Sequence, residues 1–414
     1  MRILLSILAA FGLASAAAAQ TPAPAPADTR ALLAANTRPF TYADGRLAGP
    51  GADFLMGQMA RAQFVLLGES HHDHEVPIFA GALYGRLRQD LGFRYLAVEQ
   101  DPLAIADLNS PAYRGDLKKI AAFSRSHPTH LGFSSDQDLG FLAQATASAR
   151  PGDPSVWGLE QAQGSIRYLE ELVSLAPNAA VRATAQALLD DARAKESRTS
   201  PGGFIHDDPT TLPRLTALKA AFAARPGSRA DVLLNGIVTS AEIYSYNRRA
   251  MAGERVGLYN NTEREALFKR AFMDHYRQVA RAGAPPKVMF KFGSWHMYRG
   301  RSPGGAFTIG NFAHELAISD GREAYGINVI PVGGYEADVT EQGEWMKALF
   351  PDGPPKQPVV IDLRPLHPWS RAFANQVPVD QQAALRDFIF AHDAIVVLPN
   401  SSKATWDLTG FPVP

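Results

Sequence analysis

Acidic residues and histidines recur directly after short apolar runs of this chain. They comprise Glu69, His71, His72, His74, Glu99, Glu160 and His296. A neutral imidazole near pH 7 can take a proton from water, and adjacent carboxylates orient it and stabilise the imidazolium that results. Two histidines with carboxylates are an equally common set of ligands for a divalent cation. The residue types therefore predict either water activation or metal binding.

The apolar runs before these residues have the length and composition of buried strands. The predicted strands are Gln63–Leu67, Arg94–Val98, Ser155–Leu159, Lys287–Phe292, Ala324–Val332, Pro358–Leu363 and Ala394–Leu398. Most are apolar on both faces, as in a parallel sheet that is covered by helices. Between the first two, Val76–Gly92 has helical spacing, and the order strand, helix, strand favours parallel pairing. We therefore predict an α/β fold with a central, mostly parallel sheet flanked by helices.

The carboxyl ends of parallel strands lie at one edge of a sheet, where open α/β proteins bind their ligands. Gly68 and Gly293 precede two of the polar segments and allow the backbone to turn sharply there. A single glutamate after a strand is usually solvated. A lone histidine, such as His296 beside Trp295, is usually a hydrogen-bonded residue of the core. Recurrence at four strand ends favours a functional site over these alternatives.

The region from residue 164 to 282 has a helical pattern and no convincing strand. We interpret it as a helical subdomain that is inserted into a single α/β domain spanning residues 29–414. The polar segment Ser197–Pro213 interrupts this region. We interpret that segment as a disordered excursion of the chain rather than as a lid over a site.

The N-terminus has the layout of a cleaved secretory signal. Met1-Arg2 precedes an apolar run from Ile3 to Ala14, and small residues follow at 17–19. This layout predicts a signal peptide at 1–19 and a Pro/Ala-rich tether at 20–28. We therefore expect a periplasmic or secreted protein whose mature chain has no membrane span.

Composition excludes several functional classes. The 41 Lys+Arg balance the 41 Asp+Glu, so no global field attracts nucleic acid. The absence of cysteine removes disulfides, thiolate metal sites, cysteine nucleophiles and lipid attachment through an N-terminal cysteine. The chain also lacks a phosphate loop and a Gly-x-Gly-x-x-Gly turn after a strand. The expected partner is a small-molecule substrate, and nothing indicates an oligomeric state.

Together these motifs resemble the erythromycin esterase-like superfamily, which also includes ChaN-like haem-binding lipoproteins. Leu67–His72 is similar to the Gly-Glu-x-x-His opening of that family. Tyr95–Glu99 and Val156–Glu160 are similar to its next two strands with their acidic residues. Val288–His296, followed by Gly304–Gly310, is similar to its second histidine segment. The resemblance spans the chain from about Gln63 to Pro331.

The resemblance implies a parallel sheet with a helical insertion. In the esterase branch it implies a histidine that acts as general base on a water attacking an ester. By position, His72 is the implied base, and Glu69 and Glu99 orient it or stabilise its charge. His296 is a second polar contact to the substrate or the reacting oxygen. Glu160 and Arg264 are implied substrate-binding residues, Arg264 on a helix predicted over Thr262–Arg281, with Arg270 as a rival for the family arginine.

The hydrolase interpretation requires no cofactor, and two alternatives stay open. Gly293 stands where the esterase branch commonly has a histidine, and Asp73 replaces a usual glycine. The Gly-x-x-His form at Gly293 resembles the haem-binding or metalloprotease relatives more closely. A haem- or iron-binding envelope protein would use histidine as a ligand, and the lack of cysteine means that it would not be lipid-anchored. A peptidase that depends on a divalent metal would use the glutamates and histidines as ligands.

Overall fold

The computed structural model describes residues 28–43, 45–197, 202–256, 259–283, 285–333 and 344–410. The predicted signal peptide and the tether up to residue 27 lie outside these ranges. Within them, no helix is long and apolar enough to cross a membrane.

A central sheet organises the fold. Its strands are β1 (Thr37–Pro39), β2 (Ala62–Glu69), β3 (Tyr95–Val98), β4 (Val156–Gly158), β5 (Val288–Gly293), β6 (Glu323–Pro331), β7 (Val359–Asp362) and β8 (Ala394–Leu398). The strand order is β1-β7-β8-β6-β2-β5-β3-β4. The pairings from β8 to β4 are parallel, whereas β7 pairs antiparallel with both β8 and β1. The predicted α/β class with a mostly parallel sheet is confirmed.

All seven predicted strands are present, and the short edge strand β1 was not predicted. It has three residues and ends in Pro39, and its residues are only partly buried or exposed. A proline-containing edge segment of this length lacks the apolar run by which buried strands are recognised. Local sequence therefore carried no signal for it.

Helices cover the sheet and build the inserted region. They are α1 (Thr29–Asn36), α2 (Pro50–Met59), α3 (Glu75–Leu91), α4 (Pro102–Leu108), α5 (Leu117–Ser126), α6 (Asp136–Thr146), α7 (Ile166–Leu175), α8 (Ala179–Lys195), α9 (Thr211–Phe222), α10 (Arg229–Met251), α11 (Tyr259–Ala282), α12 (Ile309–Ser319), α13 (Ser370–Ala374) and α14 (Gln382–Ala391). Short 3-10 turns lie at Ser294–Met297, Glu344–Leu349, Arg364–Trp369 and Val379–Gln381. Helix α3 ends as predicted at Gly92, whose φ of 71° makes a left-handed C-terminal cap.

Strand β2 shows why the sheet strands are apolar on both faces. Val65 and Leu67 pack in the core that α2, α3 and α6 cover. Phe64 and Leu66 point to the opposite face and pack with residues of α11 and α12. Every residue of β2 is buried. Burial on both faces leaves the strand end at Glu69 as the place where β2 presents a functional side chain.

The described part of residues 164–282 contains the helices α7 to α11 and no strand, in agreement with the predicted helical subdomain. Residues 198–201 of the polar segment at 197–213 lie outside the described ranges. In the remainder, Phe204 and Ile205 are fully buried in the helical core, and α9 begins at Thr211. This part of the segment packs within the subdomain.

Candidate active site

Four strand ends converge at one edge of the sheet. Glu69 at the end of β2 is in register with Gly293 at the end of β5, and Glu99 and Glu160 follow the neighbouring strands β3 and β4. A cavity of about 1040 Å³ opens at this edge. Its inner wall is lined by Glu69, His71, Glu99, Arg264, Gly293 and His296. The strand-end rule therefore predicted correctly that these side chains lie close together.

His71 is the histidine that the structure places between the carboxylates. Its Nδ1 lies 3.4 Å from Glu69 Oε1, and its Nε2 lies 3.8 Å from Glu99 Oε2. Its ring stacks on Phe133 with ring centres 4.1 Å apart. Burial lowers the pKa of His71, but the two carboxylates outweigh this effect and raise the pKa above its usual value. His71 is thus a partly buried, oriented imidazole beside two acceptors.

His72, which the resemblance implied as the base, packs among aromatic rings beside this cluster. Its φ of 61° reverses the backbone, and the centre of its ring lies 6.3 Å from that of His71 and 6.0 Å from that of Phe133. The His72 ring lies 5.9 Å from the ring of Trp406, and its carbonyl accepts a hydrogen bond from the Ala404 amide. A positive φ is uncommon at a residue with a Cβ. The spacing of the histidines therefore did not predict that the backbone reverses at His72.

Gly293 is required by the position of His71. A Cβ at residue 293 would lie 2.8 Å from His71 Nε2, closer than real Cβ contacts allow. The Gly293 amide also donates a 2.7 Å hydrogen bond to Glu99 Oε2. The departure from the histidine common in the esterase branch is thereby explained, since the imidazole of His71 occupies the space beside residue 293.

Lys291 is a residue of the candidate site that the sequence analysis missed. It lies on β5, is only 6% exposed, and donates to Glu69 Oε1 at 2.7 Å and to Asp138 Oδ1 at 3.2 Å. Burial raises the pKa of Glu69, but Lys291 and His71 more than offset this and lower it below its usual value. Glu69 is therefore an anion at neutral pH. Its position as a lone lysine within the otherwise apolar run of β5 is the sequence feature that could have drawn attention to it.

Arg264 joins the two other strand-end glutamates. Its Nη2 donates to Glu99 Oε1 at 2.6 Å and also to Glu160, and its Nε donates to Glu160 Oε1 at 3.0 Å. The structure thus brings together Glu99, Glu160 and Arg264 as the sequence analysis expected. Arg270, the rival for this position, is exposed on α11.

His296 is held by two carboxylates. Its Nδ1 contacts Glu265 Oε1, and its Nε2 lies 3.3 Å from Glu99 Oε1. Burial lowers the pKa of His296, but Glu99 and Glu265 outweigh it and raise the pKa to about 9. At neutral pH His296 is therefore an imidazolium that donates both N–H groups. Glu265, which the sequence analysis missed, is buried on α11 next to Arg264.

The two histidines differ in their electrostatic surroundings. His71 faces Glu69 and Glu99, whose charges are also compensated by Lys291 and Arg264. His296 shares Glu99 with Arg264 and also contacts Glu265, whose second carboxylate oxygen accepts a hydrogen bond from the Ile309 amide. Across the described ranges, no group of three or more His, Asp or Glu side chains has the arrangement of a metal site.

The outer wall of the cavity comes from the last third of the chain. Most of it lies beyond the residues that the sequence analysis singled out. It includes Trp295, Tyr298, Trp345, Asp380, Asp387 and Phe388. Trp295 is 58% exposed at the mouth. Aromatic and acidic side chains from the 3-10 turns and α14 thus surround the space in front of the histidines.

Ser302 also lines the cavity, within Gly300-Arg301-Ser302-Pro303-Gly304, which has the spacing of a nucleophile elbow. That motif requires a sharp turn from a strand into a helix. Here the segment is a turn in which the Ser302 amide donates to the Ala306 carbonyl, and no described histidine is hydrogen-bonded to the Ser302 hydroxyl. The surroundings of Ser302 do not resemble those of an activated serine.

No family model and no curated protein matches this chain. Solved structures do. A histidine-to-asparagine mutant of the erythromycin esterase EreC, in its open conformation, is similar with a TM-score of 0.59 and 14% identity over 89% of this chain and 98% of that one. A protein from Bacillus cereus has a TM-score of 0.52 and 14% identity over 92% and 99% of the two chains. A succinoglycan biosynthesis protein has a TM-score of 0.54 and 13% identity over 94% and 100%.

These structural similarities agree with the fold class that the sheet and the helices define. The chain is an α/β protein with a mostly parallel sheet, a helical subdomain and a polar site at the carboxyl edge of the strands. It has, in particular, the erythromycin esterase-like fold. Identities of 13–14% establish the fold alone.

Proposed function

We propose that this protein is a hydrolase that activates water for the cleavage of an ester-type bond. The observation that carries the proposal is the position of His71 between Glu69 and Glu99, at the base of a large cavity. Similarity in fold to an erythromycin esterase supports the reaction class. The same proposal includes export through the signal peptide predicted at residues 1–19.

In the proposed mechanism neutral His71 accepts a proton from water, and the water oxygen bonds to the ester carbonyl carbon. Glu69 and Glu99 stabilise the imidazolium that forms. The carbonyl oxygen becomes an oxyanion, and the positive charges of His296 and Arg264 stabilise it. The carbon–oxygen bond to the leaving alkoxide then breaks, and the His71 imidazolium returns the proton to that alkoxide.

The ion pairs favour catalysis without a metal. Lys291 and Arg264 already form ion pairs with Glu69, Glu99 and Glu160, so a divalent cation would have to compete with two basic side chains for these oxygens. The metal-dependent peptidase and the haem- or iron-binding protein are the alternatives. Metal analysis and an absorption spectrum of the purified protein, followed by an ester panel in the presence of a chelator, distinguish the three. Turnover that disappears on chelation and returns with added metal would contradict the proposal.

The pH dependence of hydrolysis is a direct test of the two histidines. His71 must be neutral to act as base, so kcat/KM is expected to rise through a pKa above 6.5. His296 must be protonated, so kcat/KM is expected to fall near pH 9. Removing the Glu265 charge lowers the pKa of His296, and Glu265→Gln should therefore shift the alkaline limb to lower pH. The measurement is kcat/KM for an ester in a pH-stat between pH 5 and 10.

Glu263→Gln is the matched control for this experiment. Glu263 lies two residues away on the same helix and does not line the cavity. The control should leave both limbs in place. An alkaline limb that stays at the same pH in Glu265→Gln would show that His296 is not the group responsible for it.

Gly293→Ala is expected to lower kcat by about a hundredfold, because a misplacement of about 1 Å in a reacting group has effects of this size. The added Cβ would overlap His71 Nε2 and force the imidazole out of its position. Gly57→Ala is the control, because a Cβ there meets nothing within 4 Å and Gly57 lies in helix α2. That control should retain activity and gain roughly 0.5–1 kcal/mol in unfolding free energy. Full activity in Gly293→Ala would mean that His71 need not occupy the position described.

A further inference from the structure

The segment 401–408, which follows β8, contacts the loop that carries the proposed base and also helix α6, whose Asp138 binds Lys291. We propose that this segment, the C-terminal strap, positions His71 for catalysis, and that Ser401 and Asp73 are the positioning residues. The proposal rests on the hydrolase function proposed above. It goes beyond that function by assigning a catalytic purpose to a part of the chain that does not line the cavity.

Side chains join the strap to the loop after β2. Asp73 is 2% exposed, and one of its carboxylate oxygens accepts a hydrogen bond from the Ser401 hydroxyl. That hydroxyl also lies 2.7 Å from Glu75 Oε2, which accepts a further 2.7 Å hydrogen bond from the Ser402 amide. Burial raises the pKa of Asp73 to about 6, and the Ser401 hydroxyl partly offsets that rise. Ser401 thus supplies the polar contact that makes burial of this carboxylate tolerable.

Backbone hydrogen bonds join the same two segments. The His74 amide donates to the Ser402 carbonyl at 2.9 Å, and the Ala404 amide donates to the His72 carbonyl at 3.0 Å. These bonds enclose His72, whose φ of 61° is unfavourable for a residue with a Cβ. Such a conformation persists only where neighbouring structure holds it. The reversal at His72 directs His71 towards the glutamates and Asp73 towards the strap.

The far end of the strap is attached to α6. Asp136, the first residue of that helix, accepts hydrogen bonds from the amides of Asp407 and Leu408, both at 2.9 Å, and from the Thr405 hydroxyl at 2.8 Å. Two residues further along α6, Asp138 binds Lys291, which in turn binds Glu69. The strap therefore connects the loop that carries His71 with the helix that supports its carboxylate partner.

Ser401→Ala tests this proposal. We expect kcat to fall about tenfold with KM changed less than twofold, because the reacting imidazole is displaced while the cavity wall is retained. The ring signals of His71 in a ¹H–¹³C spectrum should shift, because the imidazole moves relative to the ring of Phe133. Ser401→Thr keeps the hydroxyl and should restore both properties. Ser402→Ala is the matched control, since its exposed hydroxyl makes only a 3.3 Å contact to Glu75.

A second substitution separates positioning from general stability. In the Ser401→Ala protein, His72→Gly should recover most of the lost kcat, because glycine adopts a positive φ without the steric cost of a Cβ. Unchanged kcat and unshifted His71 signals in folded Ser401→Ala would overturn the proposal, even if the melting temperature fell. If the wild-type protein hydrolyses no ester, the proposed function fails, whereas the His71 spectra still decide whether the strap sets the position of this ring.

Discussion

Replacement of His71 by alanine is expected to lower kcat by about 10²–10⁴-fold, which is the range found for general bases. The residue is the imidazole that lies between Glu69 and Glu99 at the base of the cavity. In the proposed mechanism, the loss of His71 removes the group that takes the proton from water. The cations Arg264 and His296 remain in place. The measurement is steady-state hydrolysis of an ester by the mature protein, together with circular dichroism to establish that the variant is folded.

His72→Ala is the matched control, because the two histidines are adjacent and His71 is the one placed between Glu69 and Glu99. We expect the control to retain most of the activity, since the hydrogen bond from the Ala404 amide to the carbonyl of residue 72 does not depend on the side chain. The reverse result, with His72 essential and His71 dispensable, would restore the assignment implied by family resemblance. It would mean that the loop changes its conformation when substrate binds.

The second large effect is expected on stability. Lys291→Met should lower the unfolding free energy by roughly 3–5 kcal/mol, which is the range for breaking a buried ion pair by removing one partner. Methionine preserves much of the side-chain volume but leaves Glu69 and Asp138 buried without their cation. Denaturant unfolding of both proteins at neutral pH measures the difference. Lys118→Met, at an exposed position on α5, should change the unfolding free energy by less than about 0.5 kcal/mol.

The pH dependence of this loss identifies its cause. In the wild type the pKa of Glu69 is lowered, so its ion pair stabilises the fold above the unfolded pKa, and this contribution is lost as pH falls through the folded pKa. Without Lys291, His71 is left to offset the effect of burial on Glu69, and the pKa of Glu69 is expected to rise. The carboxylate then protonates readily at mildly acid pH. The difference in unfolding free energy between the wild type and Lys291→Met should therefore become smaller as the pH falls from 7 to about 4. A difference that stays constant over this range would indicate lost packing instead.

Much of the site was predictable from the ends of the strands. Apolar runs that are buried on both faces specify strands locally, and parallel pairing brings their carboxyl ends to one edge. Glu69, Glu99 and Glu160 were located in this way, and His296 followed a strand and a glycine. Arg264 was reached through family resemblance, and the structure places it against two of these glutamates.

Other parts of the site had no comparable local signal. Lys291 and Glu265 acquire their importance from partners that are far away in sequence, at Glu69 and His296. The outer wall of the cavity comes from residues 345–388, which the chain reaches only after completing most of the sheet. Contacts of this kind depend on how whole elements pack, which a local pattern does not report.

The amino-acid sequence by itself determined seven of the eight described strands, the α3 helix with its end at Gly92, and the edge of the sheet at which polar groups gather. These features depend on hydrophobic periodicity and on residues adjacent in the chain. Only the tertiary structure decided which of two neighbouring histidines faces the glutamates. The physical reason is that His72 adopts a positive φ, and the hydrogen bonds that hold it there come from Ala404 and its neighbours, more than 300 residues away in the chain.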